Sequence, residues 1–364
     1  MKLKQIPEDF VVKEIPSAKP IGQGDYIWCT LKKRNWDLLK LLREIVNHLQ
    51  ISRTKIGYAG TKDKAAVTYQ TISFFGVSLQ KLKSLEIKDC GLSDFEYNQR
   101  AIKLGDLKGN WFSITVRDLE NKHSKEFLEK RISELEKNGV LNLYDSQRFG
   151  TRNITHLVGK EIMKNRLEGA VCLYLTKTNK NERINIQEAR KFLSETENLM
   201  EAIKLFPKDC KWDIAMLNHL ISNPEDYIGA IRCLPKTLRM MFIHAYQSHV
   251  WNLAAIEISK KTKVNMDVPV VGFNTRLGNT EIDKAIKRIL NREKVQLGEF
   301  KINSIPELSS PGSRRPLFIH PKISIQRIEK DELYKGKTKT TLEFELSKGS
   351  YGTQVIKEIF NIKK

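Results

Sequence analysis

Residues 57–70 read GYAGTKDKAAVTYQ. This stretch sets one carboxylate, Asp63, between Lys62 and Lys64 on a glycine-bearing loop just ahead of a β-prone run. An ionised carboxylate can act as a nucleophile or a general base without a cofactor. Loops carried on rigid elements are where such groups concentrate. On spacing alone the same residues also describe a salt-bridged surface turn. Gly57 and Gly60 match the G-x-x-G of a KH loop, which clamps a nucleic-acid backbone. The G-x-x-x-x-G-K-[ST] spacing of a phosphate loop is absent. A second group, NLYDSQRFG at 142–150, combines Asn142, Tyr144, Gln147, Arg148 and Phe149. Such amide, guanidinium and aromatic groups can hydrogen-bond a base edge, grip phosphate and stack on a ring. An edge strand with a turn has the same composition. A third, HAYQSHVWN at 244–252, puts polar and aromatic groups inside an apolar helix, where a packing face with satisfied polar contacts reads equally well.

The elements that must position these residues fall into three blocks. DFVVKEI (9–15), DYIWCTLKK (25–33), VTYQTISFF (67–75) and GNWFSITVRDL (109–119) read as strands. A helix is predicted over 35–50, with Asn35 as its N-cap and Leu38, Leu41, Leu42, Ile45 and Leu49 on one face. A second amphipathic helix over 124–139 ends at Gly139. From about 155 to 315 the chain turns mostly helical, and the last fifty residues return to strands and a short helix. The expected fold is therefore α+β: a catalytic domain formed by 1–154 and 316–364, with a mostly helical domain inserted at 155–315.

The composition narrows the partner. The 364 residues carry 63 Lys and Arg against 43 Asp and Glu, a net charge of +20, which favours a polyanion and above all nucleic acid. The basic residues are spread along the chain instead of forming a polybasic block, which argues against a membrane surface. No run is long and apolar enough to span a bilayer, and the N-terminus lacks the apolar stretch of a signal peptide, so the expected location is the cytoplasm. Cys29, Cys90, Cys172, Cys210 and Cys233 show no C-x-x-C spacing, and His244 and His249 are five apart, off a common helical face. No metal site is expected.

Five segments, in order along the chain, resemble the TruD family of tRNA pseudouridine synthases. They are KQIPEDFVVKE from Lys4 to Glu14, GTKDKAAVTYQ, NLYDSQRFG, AYQSHVWN and GSYGTQVIKEI. The resemblance implies a pseudouridine-synthase-like mixed α/β catalytic domain carrying an inserted TRUD domain. It implies isomerisation of a tRNA uridine, typically at position thirteen, with no cofactor and no metal. Asp63 would be the nucleophile, attacking either the uracil ring or ribose C1′, and Lys4 would pair with it. Phe10 and Tyr351 would line the pocket around a flipped base, with Tyr144 as a further aromatic and Asn142 orienting the base or the carboxylate. Gln70 and Arg148 would support the loop and the RNA backbone, and Lys62 and Lys64 would meet RNA phosphate. The sequence departs from the family at Asp145, where the family has glycine. The partner implied is tRNA, with no protein partner and a monomer by default. The alternative is a non-catalytic RNA-binding module that uses only the G-x-x-G loop and the basic surface.

Overall fold

The computed structural model of the protein describes residues 1–120 and 123–361. The chain divides into two compact units, one formed by Met1–Val140 with His320–Lys364, the other by Leu141–Ile319. The division falls ahead of Asn142, so NLYDSQRFG belongs to the second unit. Among the described residues, no helix is long and apolar enough to cross a membrane.

The first unit begins with β1 (Phe10–Pro16), β2 (Tyr26–Arg34), α1 (Leu38–Leu49), β3 (Ile56–Tyr58), β4 (Val67–Phe75), α2 (Leu79–Lys83), β5 (Cys90–Asn98), β6 (Leu107–Leu119) and α3 (Lys125–Asn138). The chain leaves it through β7 (Val140–Leu141). Asp37 caps α1 in place of the expected Asn35, accepting from the Lys40 amide at 3.0 Å. Asn35 is instead the left-handed residue (φ 55°) that turns the chain out of β2.

The second unit contains α4 (Thr155–Met163), α5 (Leu167–Thr176), α6 (Ile184–Thr196), α7 (Leu199–Leu205), α8 (Lys211–Ser222), α9 (Tyr227–Arg232) and α10 (Lys236–Ser259). β8 (Asp267–Val270), α11 (Glu281–Glu293), β9 (Ser313–Pro316) and β10 (Phe318–Ile319) follow. Its core gathers on α10, through Phe242, Ile243, Tyr246, Val250 and Trp251. The chain then returns to the first unit as β11 (Ile323–Lys330), β12 (Thr338–Ser347) and α12 (Gly352–Ile359).

The first unit is built on an eight-stranded sheet of order β11-β12-β6-β1-β4-β2-β5, with β3 paired to β4. β1 and β4 run parallel, and β1–β6 and β2–β4 run antiparallel. Alternation along each strand sorts the faces. Ile27, Cys29, Leu31, Ile72 and Phe74 pack on the apolar stripe of α1. Phe112 and Ile114, on the same face of the sheet by this alternation, lie against the first residue of α12, Gly352. Helices thus cover one face. The alternate positions, among them Lys13, Lys32, Tyr69 and Trp111, point to the other.

Candidate functional site

Asp63 lies in the irregular segment between β3 and β4, and buried side chains hold that segment from beneath. Lys33, fully buried on β2, donates from Nζ to the Asp63 carbonyl at 2.7 Å and to the Trp36 carbonyl at 2.9 Å. Burial pushes its ammonium down to about 8, against the upward pull of Asp63 and Asp37. Gln70, also buried, donates from Nε2 to the Gly60 carbonyl at 3.1 Å. Lys62 turns away from solvent to pair with Glu14, both side chains almost wholly buried, while Glu14 also accepts from the Thr71 amide at 3.2 Å. Lys62 is therefore spent inside the protein, which corrects the expectation that it meets RNA phosphate. Gly57 belongs to β3, paired with Ser73, and the Ile102 carbonyl occupies the space a Cβ would need. A glycine is required there for close packing.

The Asp63 carboxylate itself stays open, with its side chain 28% exposed, and Lys4 Nζ stands 3.2 Å from Oδ2. Lys4 reaches it from a left-handed backbone (φ 54°), a conformation that costs a non-glycine residue about 1 kcal/mol and needs a rigid frame. The frame is present on both sides of it. Lys2 exchanges backbone hydrogen bonds with Arg117, and Asp9 Oδ2 accepts from the Gln5 and Ile6 amides at 3.0 and 3.2 Å. Asp9, buried, is gripped in turn by Arg117 Nε, and the same guanidinium binds Asp331 and Glu332. Burial opposes the Arg117 charge, but Glu332, Asp9 and Asp331 outweigh it and hold the guanidinium above its ordinary pKa. Arg117 in turn, with Lys339, draws Glu332 down to about 2.

Phe10 is 1% exposed. The Lys4 ammonium sits 4.0 Å above its ring, and Phe112 meets it edge-on at 6.1 Å. Its ring thus supports the lysine that faces Asp63. Tyr351 occupies the N-cap position of α12, half-buried, one residue before the Gly352 that touches Phe112. Lys4, Phe10, Asp63, Gln70 and Tyr351 are therefore all carried by the sheet unit.

Asn142, Tyr144 and Arg148 come together in the second unit. Asn142 is buried, its Oδ1 accepting from Arg315 Nη2 at 2.6 Å and its Nδ2 donating to the Pro316 carbonyl at 3.1 Å. Arg315 lies 4.1 Å from the Tyr144 ring centre and 5.3 Å from that of Trp251. Asn252 exchanges two hydrogen bonds of 2.9 Å with the Tyr144 backbone, and Arg148 Nε donates to Ser248 Oγ at 3.0 Å. Two of the sequence segments thereby meet, since Ser248, Trp251 and Asn252 all belong to HAYQSHVWN. The segment expected as an edge strand with a turn contains a short 3-10 helix over Ser146–Phe149. Asp145 precedes it at φ −80°, a backbone any residue adopts, so aspartate in place of glycine leaves this turn unstrained.

Sequence reasoning passed over Lys33, Arg117 and Arg315. Lys33 carried a signal, for it falls in register with Ile27, Cys29 and Leu31 on the buried side of β2. Arg315 carried none, because its partner Asn142 is 173 positions away.

Comparison with known proteins finds relatives that match nearly the whole chain. The family model described as tRNA pseudouridine synthase D (TruD) matches residues 1–260 and 254–359. A protein of Methanosarcina acetivorans named "Probable tRNA pseudouridine synthase D" is 36% identical, covering 99% of this chain and 92% of the relative. One of Methanopyrus kandleri with the same name is 35% identical, over 93% and 86%. The crystal structure of a Methanosarcina mazei protein described as tRNA pseudouridine synthase D superposes with a TM-score of 0.82 at 34% identity, covering 100% of this chain and 94% of that one.

Proposed function

The chain belongs to the TruD family, and from that premise we propose that it is a tRNA pseudouridine synthase, an isomerase acting on a uridine at position thirteen with Asp63 as nucleophile. Net chemistry moves ribose C1′ from N1 to C5 of uracil and one proton from C5 to N1. Nothing is oxidised, reduced or hydrolysed. The protein's task is to cleave the glycosidic bond, hold the freed base while it turns, and let C5 take the place of N1.

The observation that carries the reading is the Asp63 carboxylate, 28% exposed and facing Lys4 Nζ at 3.2 Å, on a loop held from beneath by buried Lys33, Gln70 and the Lys62–Glu14 pair. In this reading Lys4 keeps the carboxylate ionised and aimed, and Asp63 attacks uracil C6 or ribose C1′. Tyr351, Tyr144 and Arg148 take the substrate contacts expected of them from the sequence resemblance, Asn142, its amide bonded to Arg315 and Pro316, steadies Tyr144, Phe10 backs Lys4, and Gln70 fixes the loop. The target base lies inside folded tRNA, so it must be extruded at a cost of a few kcal/mol, which contacts to the flipped base offset. The cytoplasm, where tRNA is the substrate at hand, is the location this reading proposes.

The test is incubation of the purified chain with unmodified tRNA transcript, followed by chemical mapping of pseudouridine. Conversion at position thirteen supports the proposal, and conversion only elsewhere keeps the activity but removes the position. Tight tRNA binding with no conversion at any uridine would leave the non-catalytic RNA-binding module instead.

A further inference from the structure

On the face of the sheet opposite α1 and α12, four neighbouring strands place their residues in one straight row. Lys13 of β1 is the register partner of both Trp111 on β6 and Tyr69 on β4, and Tyr69 is in turn the partner of Lys32 on β2. The order across the sheet is Trp111, Lys13, Tyr69, Lys32: aromatic, cation, aromatic, cation. The contacts follow the register, with Lys13 Nζ 4.7 Å from the Trp111 ring centre and 5.7 Å from that of Tyr69, and Lys32 Nζ 5.7 Å from Tyr69. Both lysines are exposed and both rings are half-exposed, although strand interiors this apolar on one side need nothing of the kind on the other. At the usual strand spacing the row runs roughly 14 Å. Beside it, Lys13 and Tyr69 form part of the wall of a hollow of about 370 Å³, to which Thr30, Thr71 and Asp94 add hydrogen-bonding groups.

We propose that this row is a binding platform for unpaired RNA nucleotides, in which Trp111 and Tyr69 stack on bases, Lys13 and Lys32 meet the phosphates between them, and the hollow seats one base edge. Two aromatic rings separated by a cation match the alternation of base and phosphate along a single strand. Stacking on exposed sheet aromatics is also how other sheet-based domains hold single-stranded RNA. A row made only for stability would have no use for two lysines turned to solvent, because exposed cation–π pairs contribute little. The platform extends the proposed function, on which it rests: it lies on the face opposite Lys33 and Gln70, the side chains that hold the Asp63 loop, and so grips RNA away from the reacting base. The acidic neighbour of Trp111 on β12, Glu345, bounds the row on that side.

The experiment measures binding of the full-length chain to an unstructured eight-nucleotide oligouridine and to tRNA transcript by fluorescence anisotropy, across a salt series. Tyr69→Leu and Trp111→Leu are each expected to weaken oligouridine binding by about tenfold, the scale of losing one base–aromatic stack. Lys13→Ala combined with Lys32→Ala, both at exposed sites, is expected to reduce the slope of log affinity against log salt by about 1.4, the share of two phosphate contacts to a single strand. Oligouridine binding within twofold of the unaltered chain in the aromatic variants, an unchanged salt slope in the lysine variant, or no binding by the unaltered chain would each overturn the platform. Failure of the underlying reading looks different. Binding that depends on the row without any pseudouridine formation contradicts the synthase alone, whereas pseudouridine formation with row variants that bind normally contradicts the platform alone.

Discussion

Two polar clusters, one on the sheet unit and one on the helical unit, have opposite architecture. Around Asp63 the supports are closed and the reactive group is open: Lys33, Gln70, Glu14 and Lys62 are buried, and the carboxylate is 28% exposed. Around Asn142 the polar groups consume one another. Its amide is bonded to Arg315 and Pro316, Arg315 is buried between Asn142 and the Tyr144 and Trp251 rings, and Asn252 zips onto the Tyr144 backbone. A chemical group must stay accessible while its position is fixed by others. The first cluster is organised that way, and the second is organised as a rigid frame that presents Tyr144. Their difference teaches that the richness of a motif in polar residues says little about where the chemistry sits; the direction in which its hydrogen bonds are spent says more.

The comparison can be broken from the support side. Lys62→Met leaves Glu14 buried without its counter-charge and is expected to cost about 3–5 kcal/mol of stability, read as a lower urea midpoint. A midpoint unchanged from that of the unaltered chain would show that the pair holds nothing. Lys4→Met removes the cation from an otherwise intact site, so the rate of the chemical step should fall on the order of a hundredfold, about 2.7 kcal/mol, with tRNA affinity kept within a few-fold. Lys33→Met withdraws the donor from the Asp63 carbonyl and should lower kcat by about tenfold with KM little changed. An equal loss in both parameters would mean that Lys33 shapes binding instead.

On the helical unit the smallest effect is a pH dependence. The His156 and His249 rings lie 4.7 Å apart, and burial pushes His156 down to about 4 and lowers His249 as well. Between the ordinary value of 6.5 and about 4, the folded chain therefore binds fewer protons than the unfolded one, so stability falls as pH drops through that window. His156→Phe should lose less of its urea midpoint than the unaltered chain between pH 7 and pH 4.5. Parallel losses in the two proteins would place the acid sensitivity elsewhere.

Much of the scaffold was legible because its physics is local. β4 over Val67–Phe75 follows directly from β-branched and aromatic density, and α1 from its apolar stripe. The α1 cap was misread by two residues, since Asn35 and Asp37 are both good caps and only the left-handed turn at Asn35 decides between them. Asp63 and Lys4 were found through motifs fifty-nine positions apart, whose meeting at 3.2 Å no periodicity encodes. The placement of Lys4 over Phe10 and the turn of Lys62 towards Glu14 were not legible, because Lys4 and Lys62 lie outside regular elements, where side-chain direction has no sequence period to betray it. The row across four strands was equally hidden, for it exists only once the register of β6, β1, β4 and β2 is known.

The central claim is that Asp63 does chemistry and is not merely part of an RNA-binding loop. Its most direct test is Asp63→Asn, which keeps the size and hydrogen-bonding capacity of the side chain and removes the nucleophilic charge. Single-turnover conversion of a tRNA transcript and tRNA affinity are measured on the same preparation. The account predicts pseudouridine formation below detection, a loss of at least about a thousandfold, with affinity within threefold of the unaltered chain. Conversion at the unaltered rate would contradict it outright.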